Sequence, residues 1–127
     1  MVRLLRALVG LAALLFMGIA LQFMLFPETA AERFALVPRG IQGLNTLRGD
    51  LGGLFLGGSV LMAAGIIYRQ TFWWLAVAAV VAAIAFGRLV GFVFDGWQGN
   101  SLPQAVVELV IVILLVTAHR VCRRTDR

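Results

Sequence analysis

The sequence contains no lysine and only six acidic residues, so its positive charge is carried entirely by arginine. Charged residues make up 13% of the chain, whereas hydrophobic residues make up 61%. A soluble domain normally has roughly a quarter of its residues charged, which keeps its surface solvated. This shortage of charge argues against a soluble globule and predicts that lipid surrounds most of the chain.

Cysteine and histidine are each present only once, as Cys122 and His119. A single cysteine cannot form an internal disulfide, and no Cys or His pair has the spacing of metal ligands. Neither a phosphate-binding G-x-x-x-x-G-K-[ST] motif nor a G-x-S-x-G elbow occurs. We therefore expect no metal and no cofactor, an inert Cys122 thiol at the membrane edge, and an interfacial His119 that is not a ligand.

The formal net charge of +5 raises the question of nucleic-acid binding. Most of the arginines lie at the ends of apolar runs, which is typical of headgroup contacts and orientation signals. A nucleic-acid-binding face would instead gather them on one surface. We expect membrane lipids as partners and no nucleic acid.

Four long apolar runs account for most of the chain, at about 4–26, 44–68, 72–94 and 104–119. Each approaches the roughly 20 residues that a helix needs to cross a bilayer. The first run is too long for a signal-peptide core and lacks a convincing cleavage site, so we expect it to be retained. The sequence predicts one domain, 1–127, that is an all-α integral membrane four-helix bundle.

Arginine placement predicts the direction of these helices. Seven arginines fall on one side of the predicted membrane: Arg3, Arg6, Arg69, Arg120, Arg123, Arg124 and Arg127. The loops of the other side contain only Arg33 and Arg39, so the positive-inside rule places both termini in the cytoplasm. Trp73 and Trp74 follow a cytoplasmic turn and are interpreted as interfacial aromatics.

The first outer connection, about 27–43, has a helical pattern of its own. Pro27 suits a first helical turn, and Glu28 and Glu32 favour a helix N-terminus. Because a residue that precedes proline disfavours helix, we expect a short interfacial helix that ends before Pro38.

Polar residues inside the apolar runs form the candidate site, since an ionisable group in lipid requires a partner or water. The predicted topology places Gln22 of the first helix in the outer leaflet together with six candidate site residues: Asn45, Arg48, Asp50, Arg88, Asp95 and Glu108. Two readings remain open. The charges form a closed ion-pair network that fixes helix packing, or they form a site for an anion, a proton or a lipid headgroup. Arg48 and Asp50 point to nearly opposite sides of a regular helix unless Gly49 loosens that turn.

Glycines recur at every fourth residue beside these charges, at Gly49, Gly53, Gly57, Gly87 and Gly91. Such spacing allows two helix backbones to approach closely in lipid. We predict that these glycines pack the second and third helices together.

The segments Leu47-Arg-Gly-Asp-Leu-Gly-Gly53 and Gly87-Arg-Leu-Val-Gly-Phe-Val-Phe-Asp-Gly96, with Glu108 early in the last helix, resemble a family of small bacterial four-helix membrane proteins. This family is catalogued as domain of unknown function 4345, and the likeness covers nearly the whole chain. The resemblance implies a bacterial inner-membrane location, a fold loosely similar to the DoxX-like bundles, and a shared polar centre at Arg48, Asp50, Gly53, Arg88, Asp95 and Glu108. It implies no activity.

The leading hypothesis is a module that binds or transports a small amphiphile or anion in an outer-leaflet pocket. One alternative is a structural or accessory subunit, either in a homo-oligomer or in a larger membrane complex. Another is a membrane enzyme acting on a lipid, with Glu108 or Asp95 as acid or base, although we lean against an enzyme. A multidrug-type proton antiporter is disfavoured because the first helix contains no acidic residue.

Overall fold

A computed structural model describes residues 1–96 and 101–125 of the chain. Its regular elements are α1 (Val2–Leu25), α2 (Pro27–Arg33), α3 (Gly40–Thr46), a π-helical segment (Leu47–Gly52), α4 (Gly53–Ile67), α5 (Phe72–Phe94) and α6 (Leu102–Thr125). No strand occurs in the part of the chain that is described, which confirms the all-α class.

Four helical stretches are long and apolar enough to cross a membrane, as the sequence predicts. They are Val2–Leu25, Gly40–Ile67, Phe72–Phe94 and Leu102–Thr125. In lipid a helix satisfies its own backbone hydrogen bonds, so long apolar runs adopt no other isolated structure. The second stretch begins earlier and the fourth ends later than predicted. Arginine is a good helix former, so α6 continues beyond the apolar residues that defined its predicted end.

The second stretch is not α-helical throughout, because Leu47–Gly52 is wound as a π-helix. This segment contains Arg48, Gly49 and Asp50, so the turn at Gly49 is indeed wider than a regular α-helical turn. Short π-helical turns are rare and are often found at functional sites.

The expected helix in the first connection is present as α2 and ends well before Pro38. Pro27 occupies its first turn, where the missing N–H is not needed. After the helix, Ala35 has φ +54° and its N–H donates to the Glu32 carbonyl oxygen, while the Leu36 N–H donates to that of Ala31. These two bonds form a Schellman-type C-cap with alanine in the left-handed position that glycine usually occupies.

The described residues group into two compact units. In the unit formed by residues 10–63, the core joins Phe23 near the end of α1 to Ala30 and Ala31 of α2 and to Leu47. The Phe23 ring also lies against Phe34, at a centroid distance of 5.2 Å. Small alanines on α2 let that helix lie close to the aromatic end of α1.

The other unit, residues 1–9 and 64–127, is built around α5 and α6. Each helix buries one stripe at helical spacing: Trp74, Val77, Ala78 and Val81 on α5, and Ile111, Leu115, Ala118, His119 and Cys122 on α6. Trp74 is fully buried within the protein. Its predicted place at the membrane interface stays a prediction. Its indole lies directly against Gly65, where a Cβ would overlap Nε1.

The predicted packing of the second and third helices through glycine stays a prediction. A Cβ added at Gly49, Gly53, Gly57 or Gly87 meets no heavy atom within 4 Å, and one at Gly91 meets only Asp95 Oδ2, at 3.7 Å. Two other glycines have close contacts. The described chain approaches closely at Gly52, whose added Cβ would lie 2.9 Å from Met24 Cγ, and at Gly65.

A candidate polar site on the α5–α6 pair

An ion pair links α5 to α6 near one end of the pair. Arg88 Nε donates to Glu108 Oε1 over 2.7 Å, and the side chains are only 25% and 14% exposed. Both residues lie inside helices that could span a membrane, where a lone charge is costly. Their direct contact satisfies part of that requirement for both groups.

The second carboxylate oxygen of Glu108 is not satisfied in the same way. Oε2 is buried and makes no hydrogen bond within the described residues. A buried acceptor without a donor normally costs about 1–3 kcal/mol relative to one that is paired. This oxygen is therefore the atom of the ion pair that has an unused capacity to accept a hydrogen bond.

A cavity of about 170 Å³ lies beside the pair and has Arg88 in its wall. The remaining lining residues are Gly91, Phe92, Asp95, Gly96 and Ser101. Asp95 is exposed and ends α5, its N–H donating to the Gly91 carbonyl oxygen over 2.8 Å. Gly96 follows with φ +89°, a conformation that turns the chain away from the helix and that L side chains rarely adopt.

The cavity therefore offers groups of both signs. The guanidinium of Arg88 uses Nε on Glu108, and no bond of its terminal N–H groups occurs among the described residues, so these groups can serve other acceptors. Asp95 supplies a carboxylate and Ser101 a hydroxyl, while Phe92 supplies an apolar surface. The volume suits an ion or a polar headgroup and is smaller than the roughly 300–1,000 Å³ of sites for drug-sized ligands.

Arg48 belongs to the other unit and has a partner there. Its Nη1 donates to the Met24 carbonyl oxygen over 2.6 Å. Met24 lies in the last turn of α1, where carbonyl groups have no intrahelical donor. Arg48 thus caps the C-terminus of α1, a role that sequence spacing did not suggest. Nearby, Arg33 Nη1 donates to Gln22 Oε1 over 3.2 Å.

The other predicted site residues of that unit, Asn45 and Asp50, are both exposed. Their membership of a site remains a prediction, as does a common pocket for all six polar residues. Within the ranges that the structure describes, no three His, Cys, Asp or Glu side chains gather as metal ligands would.

His119 is buried within the protein, which the sequence analysis did not predict. It is only 9% exposed, and its Nδ1 lies 3.1 Å from the Thr71 carbonyl oxygen. Because a carbonyl can only accept, Nδ1 must be the nitrogen that bears hydrogen. The available signal was its spacing: His119 lies four residues after Leu115 on the buried stripe of α6.

Four apolar helices of spanning length, with an ion pair and a polar cavity within two of them, indicate a multi-pass membrane protein. The chain belongs to the family described as Domain of unknown function (DUF4345), whose family model matches residues 4–119. No curated protein and no solved structure shows a significant match.

Proposed function

We propose that the cavity beside the Arg88–Glu108 pair binds a small anion or the polar head of a small amphiphile, in the outer leaflet of the bacterial inner membrane. The observation that carries this proposal is the position of Arg88, which contacts Glu108 at 2.7 Å and also lines a cavity of about 170 Å³. A binding role explains why a charged group is kept within a membrane span.

The amphiphile is favoured by the surroundings of the cavity. Val93 and Phe94 at the end of α5 are 78% and 82% exposed, so this part of the helix presents an apolar surface. A ligand could place its head against Arg88 and Ser101 while its tail lies along that surface. Transport of the ligand across the membrane would require a further step and remains a hypothesis.

The ion pair also supports a structural alternative, in which Arg88 and Glu108 only hold α5 against α6. Removing one member of a buried pair leaves an uncompensated charge and costs about 3–5 kcal/mol. Arg88→Ala alone would therefore lower stability under either proposal. The variants must separate binding from folding.

The first test uses Asp95→Asn, because Asp95 lines the cavity, is exposed and lies outside the ion pair. Thermal unfolding of the full chain in neutral detergent is measured with decanoate and, separately, with inorganic phosphate. If the cavity binds the decanoate head, removing the neighbouring negative charge should strengthen protection by decanoate by about threefold to tenfold in midpoint concentration, as expected for roughly 1 kcal/mol of charge repulsion. Glu32→Gln, an exposed acid on α2, should leave it unchanged.

The second variant is the double substitution Arg88→Leu and Glu108→Leu. It replaces both charged residues by leucine, which is common in membrane-spanning helices. Such paired replacement is often neutral or stabilising. The binding proposal predicts a folded protein that decanoate and phosphate no longer protect. A folded double variant that is protected like the natural chain, or a natural chain protected by neither probe, would leave only the structural alternative.

A further inference from the structure

At the opposite end of the α5–α6 pair lies a cavity that the proposed function does not use. It is open, measures about 470 Å³, and is lined by Arg69, Gln70, Thr71, Phe72, Leu75, His119 and Arg123. An adjoining cavity of about 420 Å³ shares His119 and Arg123 and adds Arg120 and Arg124 to its wall. No acidic side chain lines either cavity among the residues that the structure describes.

We propose that the larger of these cavities, the Arg69–Arg123 cavity, binds the phosphate group of an anionic phospholipid. Two guanidinium groups from different elements face one space, and arginine forms paired hydrogen bonds to phosphate oxygens. Basic pockets at the ends of membrane helices are a recurrent site for anionic headgroups.

Gln70 is positioned to donate a hydrogen bond to a ligand in this cavity. Trp73 Nε1 donates to Gln70 Oε1 over 3.3 Å, so the amide NH₂ of Gln70 is the end left for a ligand. His119 donates through Nδ1 to the Thr71 carbonyl oxygen, so Nε2 of the neutral ring is an acceptor and does not count among the donors to phosphate. The cavity also lies at the N-terminus of α5, a 23-residue helix whose dipole favours an anion there.

The local backbone holds Arg69 in place, and the apolar wall of the cavity favours a phospholipid over free phosphate. Arg69 has φ +55°, a left-handed conformation that is unusual for a long side chain and that holds this residue in the tight turn before α5. Phe72 is 66% exposed, and with Leu75 it gives the cavity an apolar side. Inorganic phosphate would make no use of that side, whereas the glycerol and acyl portions of a lipid would.

The test measures apparent dissociation constants of the full chain by native mass spectrometry, with phosphatidylglycerol, phosphatidylcholine and inorganic phosphate as probes. Arg69→Gln and Arg123→Gln should each weaken phosphatidylglycerol binding by about fivefold, and the two together by about 25-fold, because each basic residue near such a headgroup contributes on the order of a fivefold change. Both residues are exposed, so folding should persist, and the thermal midpoint without lipid checks this.

The matched control is Arg124→Gln, which removes the same charge from the same helix but lines only the smaller cavity. It should change phosphatidylglycerol binding by less than about twofold. An Arg124→Gln effect as large as that of Arg123→Gln would show attraction by net charge alone and would overturn the site. Equal binding of phosphatidylcholine, or displacement of the lipid by an equal concentration of inorganic phosphate, would overturn the lipid assignment.

Discussion

Arginine serves different purposes at different positions of this chain. Arg88 bonds a carboxylate, whereas Arg48 bonds a backbone carbonyl. Arg69 and Arg123 share the wall of a cavity without an acidic neighbour among its described lining residues. The planar guanidinium, with five donors, can bond to a carbonyl, a carboxylate or a phosphate. Composition shows that arginine is the only basic residue type used, but only contacts distinguish these roles.

Removing the Arg48 cap should destabilise the protein. In Arg48→Ala the Met24 carbonyl oxygen loses the 2.6 Å hydrogen bond that it accepts from Arg48 Nη1. Because the bond is exposed but its donor is charged, we expect a loss of about 1 kcal/mol in the free energy of unfolding. Arg39→Ala, a change at an exposed arginine just before α3, should alter this free energy by less than about 0.5 kcal/mol. Denaturation in mixed detergent micelles measures both, and equal effects would contradict the capping role.

The residue scale also shows what the sequence could not predict. The search for ionisable residues inside apolar runs identified Arg88 and Glu108, because a charged residue there differs clearly from its neighbours. That search could not predict the hydrogen bond from Arg48 to Met24, since the acceptor is a backbone carbonyl group, which every residue has. The hydrogen bond of His119 was not predicted for a related reason: its acceptor is the backbone carbonyl of Thr71, 48 positions earlier in the chain.

At the scale of elements, α5 and α6 form a pair with polar contacts near both ends. Thr71 with His119 lies towards one end, and Arg88 with Glu108 towards the other. The two contacts are separated by eleven residues of α6, about 16 Å at 1.5 Å per residue. Between these two contacts the buried stripes consist mainly of apolar side chains.

Gly65 should be the glycine at which a side chain is least tolerated in this unit. In Gly65→Ala the new Cβ overlaps the buried Trp74 indole. Overpacking of this kind usually costs about 1–3 kcal/mol of stability. Gly87→Ala is the matched control, since its Cβ meets no heavy atom within 4 Å and alanine favours the helix. We expect a lowered thermal midpoint for Gly65→Ala only.

A reversed order of the two midpoints would contradict the close contact at Gly65 and would favour the prediction that Gly87 packs against another helix. That prediction came from four-residue spacing, which glycine shows in many membrane helices whether or not a partner lies there. Gly65 was not singled out, because the residue that requires it, Trp74, follows in the next helix. Helix existence was predictable from apolar length, whereas the position of close approach depends on contacts between elements.

At the scale of the whole chain, the separation of arginines remains the basis for its orientation. The proposed cytoplasmic side has seven arginines, including Arg127 beyond the described residues, and the loops of the other side have two. Nothing in the helix boundaries alters this distribution, since the four spans leave those arginines near helix ends. The expected topology has both termini in the cytoplasm.

Reporter fusions test this orientation directly. A fluorescent protein that matures only in the cytoplasm should be bright at either terminus, and an alkaline phosphatase fused there should be inactive. The same phosphatase inserted at Val37, which is 87% exposed between α2 and α3, should be active. Activity at a terminus, or a bright fusion at Val37, would contradict the proposed orientation and reverse the leaflets of both candidate sites.

The chain carries one sulfhydryl group, that of Cys122, and it is completely shielded near the end of α6. A membrane-permeant maleimide can alkylate it only while that end of the helix transiently opens. In the natural protein, the rate at which Cys122 is alkylated therefore reports local opening of this end of α6. Labelling rates in intact cells would register how firmly the arginine-rich end is closed, without an engineered probe.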